Sequence, residues 1–253
     1  MFVSKKDNLI VNIYETRKEM GVAAAKDIKE CILSLLKKKE EIRMIFAAAP
    51  SQNEVLEALR SDKEIPWERV DAFHMDEYIG LSADAPQGFG NFLRRAIFDH
   101  APMRSVSYID ITASDAEAEC ERYAALLTEA PIDIVVMGIG ENGHIAFNDP
   151  PVADFNDPKA VKPVELDEIC RNQQVNDGCF AKIEDVPKTA ITLTVPTLFA
   201  GEHLFCIVPA STKANAVRTT LTGEIGEHCP ASVLRRHQNA TLYLDADSSA
   251  LIM

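Results

Sequence analysis

Basic side chains are scarce in this chain of 253 residues: 26 Lys and Arg stand against 39 Asp and Glu, a formal charge of −13. A general nucleic-acid binder needs a basic face to release counterions, so the deficit argues against one. No run of about 18 apolar residues occurs, so no membrane span is expected. The N-terminal stretch has no apolar h-region, so no signal peptide is expected either. The six cysteines (Cys31, Cys120, Cys170, Cys179, Cys206, Cys229) are scattered, with no CxxC pair. That spacing predicts neither a disulfide framework nor a zinc site. His228 and Cys229 are adjacent, which rarely suits joint chelation, and no second ligand pair has metal spacing. Reduced thiols point to a cytoplasmic protein. What remains is ordinary globular composition, 47% hydrophobic and 26% charged. A chain of this length buries roughly 70–75% of its unfolded surface without staples.

Strand and helix signals alternate throughout. Strands are expected at residues 9–14, 43–48, 70–73, 132–137, 189–195, 204–208 and 241–244. Helices are expected at about 16–38, 51–59, 89–98, 116–127 and 211–221. Thr16-Arg17-Lys18-Glu19 and Ser51-Gln52-Asn53-Glu54 both read as capping boxes. The continuous apolar run Ile132–Met137 marks a strand buried on both faces. Such alternation predicts an α/β fold: one domain over 1–253, a mostly parallel sheet with helices on both faces, Rossmann-like and three-layered. Residues 148–163 break the rhythm with Pro150, Pro151, Pro158 and Pro163, and read as a long loop that could serve as a lid.

Ligands of open parallel sheets sit at the carboxyl ends of strands. Ala48-Ala49-Pro50-Ser51 and Pro209-Ala210-Ser211-Thr212-Lys213 each follow a strand and open a helix. Unpaired backbone N–H groups and a partial positive charge there suit an anion, though a plain helix cap explains either turn alone. Asp76 and Glu77 follow another strand, where a carboxylate can act as general base; Asp76 is read as that base and Glu77 as a substrate ligand. Gly138-Ile139-Gly140-Glu141-Asn142-Gly143 spells G-x-G-x-x-G, but Pro150-Pro151 arrives where the dinucleotide fingerprint needs a helix. Gly140 and Gly143 are read instead as a tight turn that lets backbone approach a ligand. His144 follows it with Glu141 and Asp149 nearby, a candidate acid–base group in unusual company.

Two longer segments carry a resemblance. Phe73-His74-Met75-Asp76-Glu77-Tyr78-Ile79-Gly80-Leu81 resembles the first signature of the glucosamine-6-phosphate deaminases, and Gly138–Pro150 resembles the second. Phe98-Asp99-His100, Val186-Pro187-Lys188 and Ser211-Thr212-Lys213 follow in the family's order. The related 6-phosphogluconolactonases typically read D-E-R and G-H-T-A-S-L-F-P at the two motifs, which this chain lacks. The resemblance implies cofactor-free conversion of a 2-amino sugar phosphate to a ketose phosphate and ammonia. Asp76 would move a proton between C2 and C1, and His144 would hand one to the ring oxygen. Asp149, Glu141 and Asn142 would orient and tune the histidine. Lys213 and the Ala48-Ala49-Pro50-Ser51 turn would hold the phosphate.

The chain departs from the family pattern in four places. Asn142 stands where an aspartate is usual, Asp149 where a glutamate is usual, and Ala48-Ala49-Pro50-Ser51-Gln52 where T-G-G-T-P is usual. The usual phosphate-gripping arginine is missing, with Arg171 its nearest replacement. A lactonase and a non-catalytic sugar-phosphate-binding regulator therefore stand as alternatives. The expected partner is a small-molecule sugar phosphate, with neither nucleic acid nor membrane. Homo-oligomer formation stays open.

Overall fold

The computed structural model describes residues 2–253. Its strands are β1 (Phe2–Lys6), β2 (Leu9–Ile13), β3 (Ile42–Phe46), β4 (Val70–His74), β5 (Asp76–Tyr78), β6 (Ser105–Ser107), β7 (Ile134–Met137), β8 (Val161–Glu165), β9 (Thr189–Leu193), β10 (His203–Val208) and β11 (Ala240–Leu244). Its α-helices are α1 (Arg17–Leu35), α2 (Asn53–Ser61), α3 (Phe89–Leu93), α4 (Ala116–Thr128), α5 (Glu168–Asn176), α6 (Val195–Phe199) and α7 (Ala214–Thr222). Eight strands form one sheet in the order β1-β2-β11-β10-β7-β3-β4-β6. All pair in parallel except β1, which returns antiparallel to β2.

The pleat sorts each strand between two cores. Ile134 and Val136 of β7 face α1, α2 and α3, whereas Val135 and Met137 face α4, α6 and α7. Each fully buried aliphatic side chain contributes about 1.5–3 kcal/mol. Burial on both faces is why β7 reads as an unbroken apolar run. The result is the expected three-layer α/β architecture.

α1 begins where the sequence predicts. Thr16 accepts from the Glu19 N–H, and the Glu19 carboxylate takes the Thr16 N–H. The second capping box does not form. Ser51 lies inside a 3₁₀ turn (Pro50–Gln52), and Glu54 reaches across to Arg17 at 2.7 Å. α3 runs on into a π-helical turn (Arg94–Phe98), so the expected helix over 89–98 changes winding midway. The strand expected over 189–195 ends at Leu193, and Val195 opens α6.

A second sheet, β5-β9-β8, was not anticipated. The chain leaves the main sheet after His74, and Asp76–Tyr78 pair antiparallel to β9. β8 occupies the end of the expected 148–163 loop, with Pro163 opposite Ile191. β8 is an edge strand, where the missing proline N–H costs no ladder bond.

Candidate active site

β3, β7 and β10 are neighbours, so their carboxyl-terminal loops lie side by side. The strand order also reverses there: β4 and β6 extend from β3 to one side, β10 and β11 from β7 to the other. This is the switch point at which open α/β sheets bind ligands. An open cleft with about 550 Å³ of empty space, mouth included, lies there. Asp76, His144, Gly140, Ala48, Ala49, Ser51 and Lys213, all expected from sequence, line it.

Strand alternation separates Asp76 from Glu77. Asp76 faces the cleft and makes no side-chain hydrogen bond. Burial, then the charges of Glu77 and Asp149, push its carboxyl well above the usual range. Glu77 points the other way, contrary to the expected ligand role. Its carboxylate accepts the N–H groups of Tyr78, Phe89 and Gly90, each at 2.9 Å, and so caps α3. Burial raises its pKa to about 7 against those bonds. Behind Asp76, the His74 ring accepts from the Ile109 N–H (2.9 Å), which leaves its other nitrogen to donate to the Asp76 carbonyl (2.8 Å). Full burial lowers His74 to about 4 and keeps it neutral. It fixes the backbone that carries Asp76.

The glycine turn after β7 delivers His144. A Cβ on Gly140 would lie 2.2 Å from the imidazole, so glycine is required for the ring to lie over the turn. Gly143 has φ +87°, which admits a side chain only with strain. His144 Nδ1 lies 2.7 Å from Asp149 Oδ1. Burial raises the Asp149 pKa, but the imidazole and the hydrogen bonds from His144, Asn142 and Cys170 outweigh it, and the net pKa lies below the ordinary value.

Asn142 does not touch the imidazole. Its Oδ1 accepts the His144 N–H (3.0 Å) and its Nδ2 donates to Asp149 Oδ1 (2.8 Å). The amide therefore holds the carboxylate that holds the histidine. Glu141 does not join this group. Its N–H donates to Gln173 Oε1 (2.8 Å), and its carboxylate acts on Lys213 through space.

Lys213 closes the 3₁₀ turn that begins α7 and is buried, which lowers its pKa against the opposing pull of Asp177, Glu141 and Cys170. The turn before it is strained: Ala210 has φ +82°. Asp245 holds the Ala210 N–H with both oxygens, at 3.2 and 3.1 Å. Ala146, beside His144, has φ +50°. Backbone strain of this kind clusters at functional sites.

Arg171 does not reach the cleft. Its guanidinium donates to the Ile183 and Val186 carbonyls and lines a separate surface hollow. Residues 148–163 contribute nothing to the lining either. α5 lies there instead, through Gln173, Gln174 and the capping Asp177. These three, and Gln52, were missed from sequence. α5 carries one recognisable signal, Asp167, whose side chain accepts the Cys170 N–H as an N-cap.

One group among the described residues has metal-ligand chemistry: His144, Asp149 and Cys170, with ligand atoms within 4.8 Å of one another. Nδ1 and Oδ1 stand 2.7 Å apart. Two ligands of a tetrahedral zinc ion would stand roughly 3.3 Å apart, so the pair as placed does not match a zinc site.

Fold and cleft together define an α/β protein with an open cleft at the switch point, lined by the Asp76 carboxyl, the His144 imidazole and the buried Lys213. Residues 15–243 match the family described as glucosamine-6-phosphate isomerases/6-phosphogluconolactonase, and the chain belongs to that family. It is 36% identical over 239 residues to a glucosamine-6-phosphate deaminase of Bacillus cereus, covering 94% of this chain and 87% of the relative. It is similar to a solved monomeric glucosamine-6-phosphate deaminase at 30% identity and TM-score 0.85, over 95% of this chain and 99% of the other. A 6-phosphogluconolactonase from Thermotoga maritima shares the fold at 20% identity and TM-score 0.76, over 93% and 99% of the two chains. Among the described residues no helix is long and apolar enough to cross a membrane.

Proposed function

We propose that the protein is an aldose–ketose isomerase that deaminates an amino sugar phosphate, glucosamine 6-phosphate first and galactosamine 6-phosphate next. The observation that carries this reading is the convergence of Asp76, the His144–Asp149 pair and Lys213 on one cleft. His144 hands a proton to the ring oxygen and opens the pyranose. Asp149 orients the ring, and Asn142 orients Asp149. Asp76 removes the C2 proton of the open-chain amine and returns one to C1, giving the 2-imino ketose. Water then adds at C2 and ammonia leaves. Lys213, Ser51 and the backbone N–H groups of the Ser211 turn hold the phosphate. A lactonase needs a hydrolytic water and no base at C2, so the placement of Asp76 favours the isomerase. Turnover of substrate deuterated at C2 tests the assignment. A primary isotope effect with label recovered at C1 is expected; a reaction with neither would contradict it.

A further inference from the structure

One polar side chain in the cleft is used neither by the fold nor by the proposed chemistry. Gln174 lines the cleft from α5, and only 7% of the residue is exposed. Among the described residues its side-chain amide makes no hydrogen bond to the protein, and neither its oxygen nor its nitrogen is sealed away from the cleft. The two other glutamines of the lining are spent on the fold. Gln173 takes the Glu141 N–H with Oε1 (2.8 Å) and gives Nε2 to Asp177 Oδ2 (3.3 Å). Gln52 gives Nε2 to Ser51 Oγ (3.0 Å) and to the Ile207 carbonyl (3.2 Å).

The backbone that carries Gln174 is fixed. Its carbonyl accepts the Cys179 and Phe180 N–H groups at 2.9 and 3.4 Å, which closes the end of α5. Phe180 packs edge-on against Tyr78 of β5, with 5.5 Å between ring centroids. The bond from the Glu141 N–H to Gln173 ties the helix to the turn that carries His144. The free amide therefore stands on a held wall, and a ligand that meets it need not order the helix first. Buried polar groups in folded proteins are met by protein, water or ligand. An amide offers an oxygen that accepts and an NH₂ that donates, a set that matches two neighbouring hydroxyls. It carries no charge, so a phosphate is held more strongly at Lys213.

The substrate has two such hydroxyls to spare. Asp76 serves C1 and C2, His144 serves the oxygen on C5, and Lys213, Ser51 and the Ser211 turn serve the phosphate on C6. The hydroxyls on C3 and C4 have no partner in that scheme. We propose that Gln174 is a specificity-determining residue that pairs with them, one hydroxyl donating to Oε1 and the other accepting from Nε2, so that the cleft selects a sugar phosphate with both hydroxyls free. The inference rests on the amino sugar phosphate reading and deepens it.

The test is calorimetric binding of glucitol 6-phosphate, a monoester that can neither open a ring nor lose ammonia, beside its 3-deoxy and 4-deoxy forms. The natural chain should bind each deoxy form about tenfold more weakly than the parent, because loss of a hydroxyl leaves half of the amide unpaired. Gln174→Met keeps the length of the side chain and removes the amide. It should bind the parent about tenfold or more weakly and lose less than about threefold on either deletion, since the interaction is already gone. Its affinity for inorganic phosphate should match that of the natural chain, which reports an intact fold and phosphate end. A natural chain indifferent to both hydroxyls, a variant as sensitive to their loss as the natural chain, or a variant that no longer binds phosphate would each overturn the proposal. If binding follows the expectation while amino sugar phosphates release no ammonia, the reaction assignment fails and the hydroxyl assignment stands. Ammonia release together with a fully sensitive Gln174→Met variant removes the hydroxyl assignment and leaves the reaction.

Discussion

Asp76→Asn separates the catalytic and the structural consequences of one buried carboxylate. The substitution keeps shape and removes both the charge and the base. General acid–base groups contribute on the order of 10²–10⁴ to rate, so kcat should fall by that much while ligand binding survives. Stability should move the other way. The folded protein retains a proton on Asp76 at pH values where the unfolded chain has lost it, because burial, Glu77 and Asp149 all disfavour the charge. The folded state then binds more protons, and stability falls as pH rises from the ordinary carboxylate range to the elevated one. Each pH unit of elevation corresponds to about 1.4 kcal/mol, and each kcal/mol to about 2–4 °C in Tm at this chain length. Asp76→Asn should therefore raise Tm at pH 8 and leave it unchanged below the ordinary carboxylate range. Thermal melts across pH, with kcat on the same preparations, read both effects. An unchanged kcat would remove Asp76 as the base. A Tm that falls at every pH would refute the burial argument.

Three other substitutions probe the arrangement around it. Gly140→Ala should reduce kcat about 100-fold with the fold intact by circular dichroism, since the new methyl would occupy the His144 ring position. Asn142→Asp, which installs the residue usual in the family, should lower activity about tenfold or more. It replaces a 2.8 Å donor to Asp149 with a second carboxylate, and a gain in kcat would show that the amide is dispensable. Lys213→Ala should raise KM and weaken inhibition by inorganic phosphate, and an unchanged inhibition constant would contradict its role.

The main sheet was legible because its strands are buried on both faces and its helices carry apolar stripes. The small sheet was not. β5 is three residues long, and β8 contains Pro163, a signal against strand that only its edge position neutralises. α5 was hidden by its polarity: Glu168–Asn176 buries Cys170, Gln173 and Gln174 rather than an aliphatic face. Missing α5 meant assigning the covering role to 148–163 and missing Gln173, Gln174 and Asp177. Asp76, His144, Asp149 and Lys213 were legible because each follows a strand, where the fold collects ligand groups. Adjacency misled at Glu77 and Glu141. Alternation turns Glu77 to the far side of its strand, and the glycine turn leaves Glu141 beside Lys213 rather than the imidazole.

The overall acidity does not oppose an anionic ligand, because the charge that matters is local: Lys213 with Asp177 and Glu141 near it, and Asp76 with Asp149 at the reacting end. The central claim is that this cleft isomerises and deaminates an amino sugar phosphate. Incubation with glucosamine 6-phosphate, followed by assay of ammonia and fructose 6-phosphate, tests it most directly. Equal amounts of the two products are predicted. No ammonia from glucosamine or galactosamine 6-phosphate, with clean hydrolysis of a phosphogluconolactone, would contradict it.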